Sequence, residues 1–248
     1  MNVVSFSGGK DSTAMLLMMI ERGIPVDRVI YIDTTKDFPQ MYRHIEKVQK
    51  MIEPIKIERI KIDFDYWFAE HIRTKGREKG QKGYGWPGVR SRWCTALKRE
   101  AYNHVVFGVT YNSYKRKKKD IVEFIGIAYD ERHRTQHNKS YFRNREVRYP
   151  LVEWKVTEKQ ALEYCYSKGL DWEGLYEKFD RLSCYLCPLQ GIKALRILYN
   201  EFPELWQKMK ELDRYSRKTF RPDYSLEELE RRFQNENKQL KLFKKREK

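Results

Sequence analysis

Two groups of residues in this chain have types and spacings that could do chemistry. The first is a short glycine-containing turn near the amino end, Ser7-Gly8-Gly9-Lys10-Asp11-Ser12, between an apolar run and an apolar, helix-forming segment. The second is a set of four cysteines: Cys94, Cys165, Cys184 and Cys187. The turn suits an anion such as a phosphate, and the cysteines suit a metal ion or an iron–sulfur cluster.

The glycine-containing turn has the composition of an anion site at the start of a helix. Gly8 and Gly9 let the backbone approach a phosphate, and the unpaired N–H groups of the first helical turn point towards it. Lys10 adds a positive charge, and Ser7 and Ser12 add hydroxyl groups. The glycine-to-lysine spacing is too short for a Walker A loop. A generic glycine-rich turn between a strand and a helix is the alternative.

The cysteines are spaced as metal ligands rather than as disulfide partners. Cys184 and Cys187 form a Cys-x-x-Cys pair followed by proline, and Cys94 lies far upstream. In a reducing compartment such spacing favours a metal or catalysis. Cys165 falls within a predicted helix, where it is either a fourth ligand or a buried helix residue.

The first part of the chain alternates predicted strands and helices. Strands are predicted at 2–6, 28–32 and 55–62, and helices at 12–22 and 39–52. This order predicts an α/β fold with a doubly wound, mostly parallel sheet. Ligands in such sheets bind beyond the carboxyl ends of the strands, where the turn and Asp33 are placed. The apolar and charged residues of 55–62 alternate, so that strand is expected near an edge of the sheet.

The pattern becomes helical after Pro150. A helix at 94–104 and a strand at 121–127 come first, and the later predicted helices are 157–168, 189–200, 203–217 and 225–245. We therefore divide the chain into an α/β domain at 1–150 and a helical carboxyl-terminal region at 151–248, which contains the Cys-x-x-Cys pair.

The charge of the chain favours a polyanionic partner. The formal net charge is +16 over 248 residues, and nucleic acid is the first candidate for such a partner. The alternatives are that the charge serves solubility, or a nucleotide substrate. The basic residues are concentrated in two segments, 73–93 and 115–119. The first segment also contains Tyr84, Trp86 and Trp93, which could stack on bases.

Nothing in the sequence indicates a membrane or export. No apolar stretch reaches the roughly 20 residues that span a bilayer, and residues 1–20 lack a signal-peptide pattern. We expect a cytoplasmic protein.

Several motifs, taken in order, resemble a known family. Ser7 to Ser12 resembles the pyrophosphate loop of the N-type ATP pyrophosphatases and of the phosphoadenosine phosphosulfate (PAPS) reductases. The later matches are Cys94 with Lys98, Asp130-Glu131 with Arg134, Arg148-x-Pro150-Leu151 with Trp154, and Cys184 with Cys187. The resemblance covers about residues 1–190 and implies an adenine-nucleotide α-hydrolase-like fold.

The resemblance also implies ligands and residue roles. It implies ATP, or PAPS, as the nucleotide, with Mg²⁺ and Lys10, Asp11 and Ser12 as the catalytic residues. The implied nucleotide contacts are Ser7, Gly8, Gly9, Lys10, Ser12, Asp33, Thr34 and Arg134. Cys94, Cys184 and Cys187, with or without Cys165, would hold a [4Fe–4S] cluster, and Zn²⁺ is the alternative.

Two departures from the sulfonucleotide reductases shape the predicted function. Trp93 stands beside Cys94 where adenylyl-sulfate reductases have a cysteine pair, and this sequence has no cysteine after Cys187 to serve as the reductase nucleophile. We therefore predict ATP-dependent adenylation and sulfur transfer to a nucleic acid, tRNA or DNA, with a sulfur donor protein as a further partner. The alternatives are a sulfonucleotide reductase and a non-catalytic, nucleotide-sensing, DNA-binding regulator.

Overall fold

The computed structural model describes residues 1–108, 120–137, 146–182 and 184–246, with side chains to residue 239. The basic run predicted at 115–119 lies outside these ranges.

A five-stranded, all-parallel sheet forms the centre of the α/β part. The strands are β1 (Asn2–Phe6), β2 (Arg28–Asp33), β3 (Ile57–Lys61), β4 (Val122–Ile125) and β5 (Glu146–Arg148), in the order β3-β2-β1-β4-β5. The predicted doubly wound parallel sheet is confirmed, and β3 lies at an edge as its alternating pattern predicted.

The position of β1 in this order creates a ligand-binding position. β1 pairs with β2 on one side and with β4 on the other, so the chain reverses its direction of winding between β1 and β4. In open parallel sheets a crevice forms at that reversal, beyond the carboxyl ends of the strands. The Ser7–Gly9 turn leaves β1 at this place.

Ten α-helices accompany the sheet in the described ranges. They are α1 (Lys10–Glu21), α2 (Pro39–Met51), α3 (Trp93–Phe107), α4 (Arg134–His137), α5 (Pro150–Glu153), α6 (Glu158–Ser167), α7 (Leu175–Lys178), α8 (Ile192–Glu201), α9 (Pro203–Asp213) and α10 (Leu226–Arg246). A π-helical turn lies at Tyr66–Glu70, and 3₁₀ turns lie at Tyr129–Glu131 and Trp172–Gly174. None of the helices in the described ranges combines the length and apolar character that a bilayer crossing demands.

The first helix is buried on nearly all of its faces. Met15, Leu16 and Met19 are fully inaccessible to solvent, and the polar Ser12 and Thr13 near its start are also buried. A helix that is enclosed on all sides holds its amino end in a fixed place, because any movement would disturb close-packed neighbours.

The chain divides into two compact units, each made of two segments. The first unit comprises 1–62 and 96–182, and the second comprises 63–95 and 183–248. This division differs from the predicted boundary at residue 150. The reason is that 63–95 packs with the carboxyl-terminal helices: the Trp86 indole N–H donates to Asp213 at 2.5 Å, and its ring meets Phe220 edge-on.

The aromatic residues of 73–93 form part of a packed cluster. Trp86 and Trp93 are only 2% and 7% exposed. Tyr84 stacks on His71 and on Trp93, with ring centroids 5.5 Å apart in both cases. The expectation that Trp86 and Trp93 stack on bases is therefore corrected, because neither ring presents a free face.

Candidate functional site

The turn after β1 depends on glycine at two points of close approach. Gly8 has φ +75°, a left-handed conformation that favours glycine, and a Cβ there would lie 2.9 Å from the Met41 sulfur. Gly126, directly after β4, lies against the start of α1, where an added Cβ would come within 2.7 Å of the Ser12 backbone. The ends of β1 and β4 are thus brought together around the turn.

The two serines of the turn hold it closed. The Ser7 backbone N–H donates to the Ser12 hydroxyl at 3.2 Å, and the two hydroxyl oxygens are 3.0 Å apart. The Ser12 hydroxyl also lies 3.1 Å from the Gly9 carbonyl oxygen, to which it can donate. The predicted role of Ser7 and Ser12 as nucleotide contacts remains a prediction, and in this structure their hydroxyl groups order the turn.

The start of α1 presents backbone donors. The first helical hydrogen bond runs from the Thr13 N–H to the Gly9 carbonyl, and no side chain caps the helix. The N–H groups of Lys10, Asp11 and Ser12 therefore have no partner within the helix. The Lys10 N–H donates to the Tyr176 hydroxyl at 2.8 Å. The N–H groups of Asp11 and Ser12 are the ones placed for an anion.

Lys10 is buried and lies among carboxylates. The residue is 6% exposed, and its ammonium nitrogen lies 3.6 Å from Asp11 Oδ2 and 3.4 Å from Glu158 Oε2. These anions neutralise its charge in the free chain. Because the surroundings are poorly solvated, the ammonium would interact strongly with a phosphate if one bound at the turn.

Three carboxylates gather beside the turn. Asp11, Glu131 and Glu158 each offer an oxygen, and these oxygens lie within 4.8 Å of one another. Asp11 Oδ1 is buried without a hydrogen-bond partner. Burial raises the pKa of Asp11 to about 6, and the neighbouring Glu158 and Glu131 charges act in the same direction. An orphaned oxygen in a cluster of carboxylates suits Mg²⁺, which prefers oxygen ligands.

Local sequence explains why the carboxylates meet. The Glu158 N–H donates to the Asp130 carboxylate at 3.0 Å, which ties the start of α6 to the turn after β4. Thr157 and Gln160 form a capping box that fixes where α6 begins, so Glu158 is its first residue. Arg134 forms an ion pair with Glu131, which brings this predicted nucleotide contact beside the cluster.

The other predicted nucleotide contacts, Asp33 and Thr34, are buried, and their exposed fractions are 0% and 1%. The Asp33 carboxylate accepts hydrogen bonds from Arg59 at 2.7 and 2.9 Å, from the Tyr42 hydroxyl at 3.0 Å and from the Thr35 N–H at 2.6 Å. Its acceptor positions are engaged within the protein, so its observed role is to order the end of β2. Contact with a nucleotide stays a prediction.

Three of the four cysteines lie in the second unit. Cys184 and Cys187 share a tight turn, in which the Cys187 N–H donates to the Cys184 carbonyl at 3.1 Å. Gln190 braces this turn by donating to the Cys184 carbonyl at 3.1 Å. Cys94 is the second residue of α3. All three are partly buried, and within the described residues their sulfur atoms do not all come within 4.8 Å of one another.

Comparison with known families agrees with this arrangement. The model of the phosphoadenosine phosphosulfate reductase domain matches residues 1–190, which include the turn, the carboxylate cluster and the Cys-x-x-Cys pair. The chain belongs to this family. The predicted recognition is confirmed, and 1–190 is referred to below as the PAPS reductase domain.

Two curated relatives come from the archaeon Methanocaldococcus jannaschii. The uncharacterized protein MJ0066 is 28% identical over 83% of this chain and 40% of its own length. The uncharacterized protein MJ0973 is 26% identical over 82% of this chain and 45% of its own length. The chain thus spans less than half the length of these relatives.

A looser likeness exists among solved structures. The U34-tRNA thiolase NcsA from Methanococcus maripaludis, solved with its [4Fe–4S] cluster, aligns over 86% of this chain and 70% of its own, with a TM-score of 0.44 and 14% identity. At that score the substrate and the cluster are properties of the thiolase alone.

The remaining cysteine, Cys165, is buried within the PAPS reductase domain. It belongs to the first unit, is 0% exposed, and its thiol lies 3.6 Å from the Lys10 carbonyl, to which it donates. Burial raises its pKa to about 12. In this structure Cys165 therefore has the place of a buried helix residue, as in the alternative interpretation, and its role as a metal ligand stays a prediction.

Glu158, Tyr176 and Trp172 were not predicted as site residues. The Thr157-x-x-Gln160 capping pattern could have placed Glu158 at a helix start. Nothing in the local sequence pointed to Tyr176 or Trp172, because their contacts with the turn span more than 160 residues.

Proposed function

We propose that the chain binds ATP through its phosphates at the Ser7–Ser12 turn and uses it to adenylate a nucleic acid before sulfur transfer. The observation that carries this proposal is the start of α1, where free N–H groups, the Lys10 ammonium and the Asp11 cluster meet at the switch point of a parallel sheet. Membership of the PAPS reductase family supports a nucleotide as the ligand.

The residues act chiefly by positioning and by charge. The N–H groups of Asp11 and Ser12 and the Lys10 ammonium bind phosphate oxygens and stabilise the charge of the departing pyrophosphate. An oxygen of the nucleic acid attacks the α-phosphorus, pyrophosphate leaves, and a sulfur nucleophile then replaces the adenylate with release of AMP. The protein aligns these groups and excludes water.

Asp11, Glu131 and Glu158 fit a magnesium ion, because one Asp11 oxygen lacks a partner and three oxygens already converge. Mg²⁺ bound there would supply positive charge to the phosphates. The ion would also relieve the repulsion among the three carboxylates.

Cys94, Cys184 and Cys187 are the proposed ligands of a [4Fe–4S] cluster, since they are the cysteines of the second unit. A cluster held by three thiolates would supply an iron with an open position that can hold sulfur. A fourth cysteine ligand would instead give a closed cluster or a structural zinc site.

The nucleic-acid substrate is proposed from charge. A net charge of +16 provides the counterion-releasing contacts on which nucleic-acid binding depends. Binding through such contacts weakens steeply as the salt concentration rises, which gives a simple first check on whether a bound nucleic acid is held in this way.

The test is nucleotide turnover without oxygen. The purified protein is incubated with α-labelled ATP and Mg²⁺, and with pooled tRNA, with DNA or with neither. We expect AMP and pyrophosphate with one nucleic acid only. Lys10→Gln should reduce AMP formation by about 100-fold, because the charge on the phosphates is lost. Lys159→Gln is the matched control, since Lys159 has an 85% exposed side chain.

Two other outcomes of this experiment would favour the alternative functions. Release of sulfite from PAPS, with no AMP from ATP, would indicate a sulfonucleotide reductase. Binding of ATP without turnover under any condition, in protein with full iron content, would favour a nucleotide-sensing regulator.

A further inference from the structure

One short segment of the first unit, 171–176, contacts the Ser7–Ser12 turn. The Trp172 indole N–H donates to the Gly8 carbonyl at 2.8 Å, and the Tyr176 hydroxyl accepts the Lys10 N–H at 2.8 Å. We call this segment the strap. It fixes two consecutive parts of the turn, the left-handed glycine and the first residue of α1.

The strap is held firmly in place. Trp172 stacks on His44, with ring centroids 4.1 Å apart, and meets Tyr176 edge-on at 4.8 Å. Glu173 forms two hydrogen bonds of 2.6 Å with the Arg43 guanidinium. Trp172 and Glu173 both have positive φ, 49° and 53°. Two adjacent non-glycine residues in this conformation persist only where the surroundings enforce it, and such strain is concentrated at ligand sites.

The Tyr176 hydroxyl has donor capacity to spare. Its oxygen accepts the Lys10 N–H, and within the described residues its own proton meets no acceptor. A Cβ on Gly9 would lie 3.4 Å from this oxygen, so the hydroxyl stands at the start of α1 where a phosphate would approach. Burial raises the pKa of Tyr176 above its ordinary value, so the hydroxyl keeps its proton.

We propose that Tyr176 is a positioning residue of the phosphate site. Its hydroxyl oxygen continues to accept the hydrogen bond from the Lys10 backbone N–H, and its O–H donates a hydrogen bond to a phosphoryl oxygen of the bound nucleotide. The phosphate then accepts hydrogen bonds directly from the backbone N–H groups of Asp11 and Ser12. The Tyr176 hydroxyl lies between the phosphate and the backbone N–H of Lys10 and is hydrogen-bonded to both. Because the ring is wedged against Trp172, it sets how deeply the phosphate can approach the helix. This inference rests on the proposed nucleotide-binding function.

The test removes the hydroxyl alone. Tyr176→Phe and the wild-type protein are titrated calorimetrically with ATP, with pyrophosphate and with adenosine. We expect Tyr176→Phe to weaken the binding of ATP and pyrophosphate by about 10- to 100-fold, as for a lost hydrogen bond to a charged group, and to leave adenosine binding unchanged. Tyr166→Phe, which removes a hydroxyl from a 39% exposed tyrosine on α6, should change none of these values.

Three results would overturn the inference. Equal or tighter binding of pyrophosphate by Tyr176→Phe would mean that the hydroxyl only fills the site in the free chain. An equal loss for ATP and adenosine, with a lower melting temperature, would mean that Tyr176 is purely structural. A wild-type protein that binds none of the three ligands would overturn the proposed function and this inference with it.

Discussion

Asp11 is the residue at which burial and function compete most directly. Its side chain lies beside Glu131 and Glu158, one oxygen has no hydrogen-bond partner, and burial raises its pKa to about 6. Desolvation of the ionised carboxylate costs folding free energy, and the Lys10 ammonium 3.6 Å away offsets this cost only in part, since the pKa stays raised. The ionised form of Asp11 is therefore held at the expense of the stability of the fold.

The titration of Asp11 gives a pH prediction. Its folded-state pKa of about 6 exceeds the ordinary 3.8, so between these values the folded chain binds more protons than the unfolded chain. The contribution of Asp11 to the free energy of unfolding therefore falls as the pH rises from about 4 to 6. Asp11→Asn should be more stable than wild type by about 1–3 kcal/mol at pH 8 without Mg²⁺, and this advantage should shrink at pH 4.

Urea unfolding at both pH values measures the effect of Asp11→Asn. Glu163→Gln removes an exposed carboxylate from α6 and serves as the control. An advantage of Asp11→Asn that is the same at pH 4 and pH 8 would contradict the raised pKa.

Asp33 leads to a different prediction at the same scale. Asp33→Asn removes the charge that Arg59 and the Tyr42 hydroxyl meet, so we expect a loss of about 1.5–3 kcal/mol in the free energy of unfolding. Chemical denaturation measures it. A variant with wild-type stability but weaker ATP binding would instead make Asp33 the nucleotide contact that the sequence predicted.

At the scale of elements, the turn depends on the strand beside it as much as on its own residues. Gly126 follows β4 and lets the start of α1 lie against that strand. The glycines within the turn are visible in the sequence as a motif, whereas Gly126 is visible only once β4 has been placed next to β1.

Gly126→Ala should therefore disturb the site from the neighbouring strand. The added Cβ would lie 2.7 Å from the Ser12 backbone, so the helix start must shift. We expect a loss of about 1–3 kcal/mol in stability and weaker binding of ATP, by thermal melting and calorimetry. Gly88→Ala, where a Cβ meets nothing within 4 Å, is the control. Wild-type ATP affinity in Gly126→Ala would show that the turn does not depend on this contact.

The sequence predicted the long elements well, for physical reasons. β1, α1 and β2 have continuous apolar runs or clear turn residues at their ends, so their predicted positions agree with the structure to within two residues. β5 and the four-residue helices α4, α5 and α7 were missed, because three or four residues are too few for the period of a strand or a helix to repeat.

The candidate site was predictable only where it is local. The turn at Ser7–Ser12 is contiguous, and a contiguous motif can be read directly. The carboxylate cluster joins α1, the turn after β4 and α6, and the strap joins residues more than 160 positions apart. Such contacts follow from the topology of the sheet, which the pattern of apolar residues does not specify.

At the scale of the whole molecule, the two units divide the proposed chemistry. The Ser7–Ser12 turn and the carboxylate cluster belong to the first unit, and Cys94, Cys184 and Cys187 belong to the second. Cys165 belongs to the first unit, so its replacement serves as a control for replacements of the three cysteines of the second unit.

Iron content should follow this division. Protein prepared without oxygen should lose most of its iron when Cys94, Cys184 or Cys187 is replaced by serine, and Cys165→Ser should retain wild-type iron because that thiol is buried against α1. Metal analysis and the visible absorption spectrum measure both effects. Loss of iron in Cys165→Ser would indicate that Cys165 is a ligand. Bound zinc with no iron in the wild-type protein would indicate a zinc site instead of a cluster.

The two-segment composition of the second unit also affects how the chain is made. Residues 63–95 leave the ribosome long before residues 183–248, with which they pack. Until the later segment emerges, the ring of Trp86 lacks its partners Asp213 and Phe220. Newly made chains therefore pass through a stage in which an aromatic surface is open to aggregation or to chaperones. Ribosome-bound chains ending before residue 183 should be captured by such factors more readily than chains that include residues 183–248.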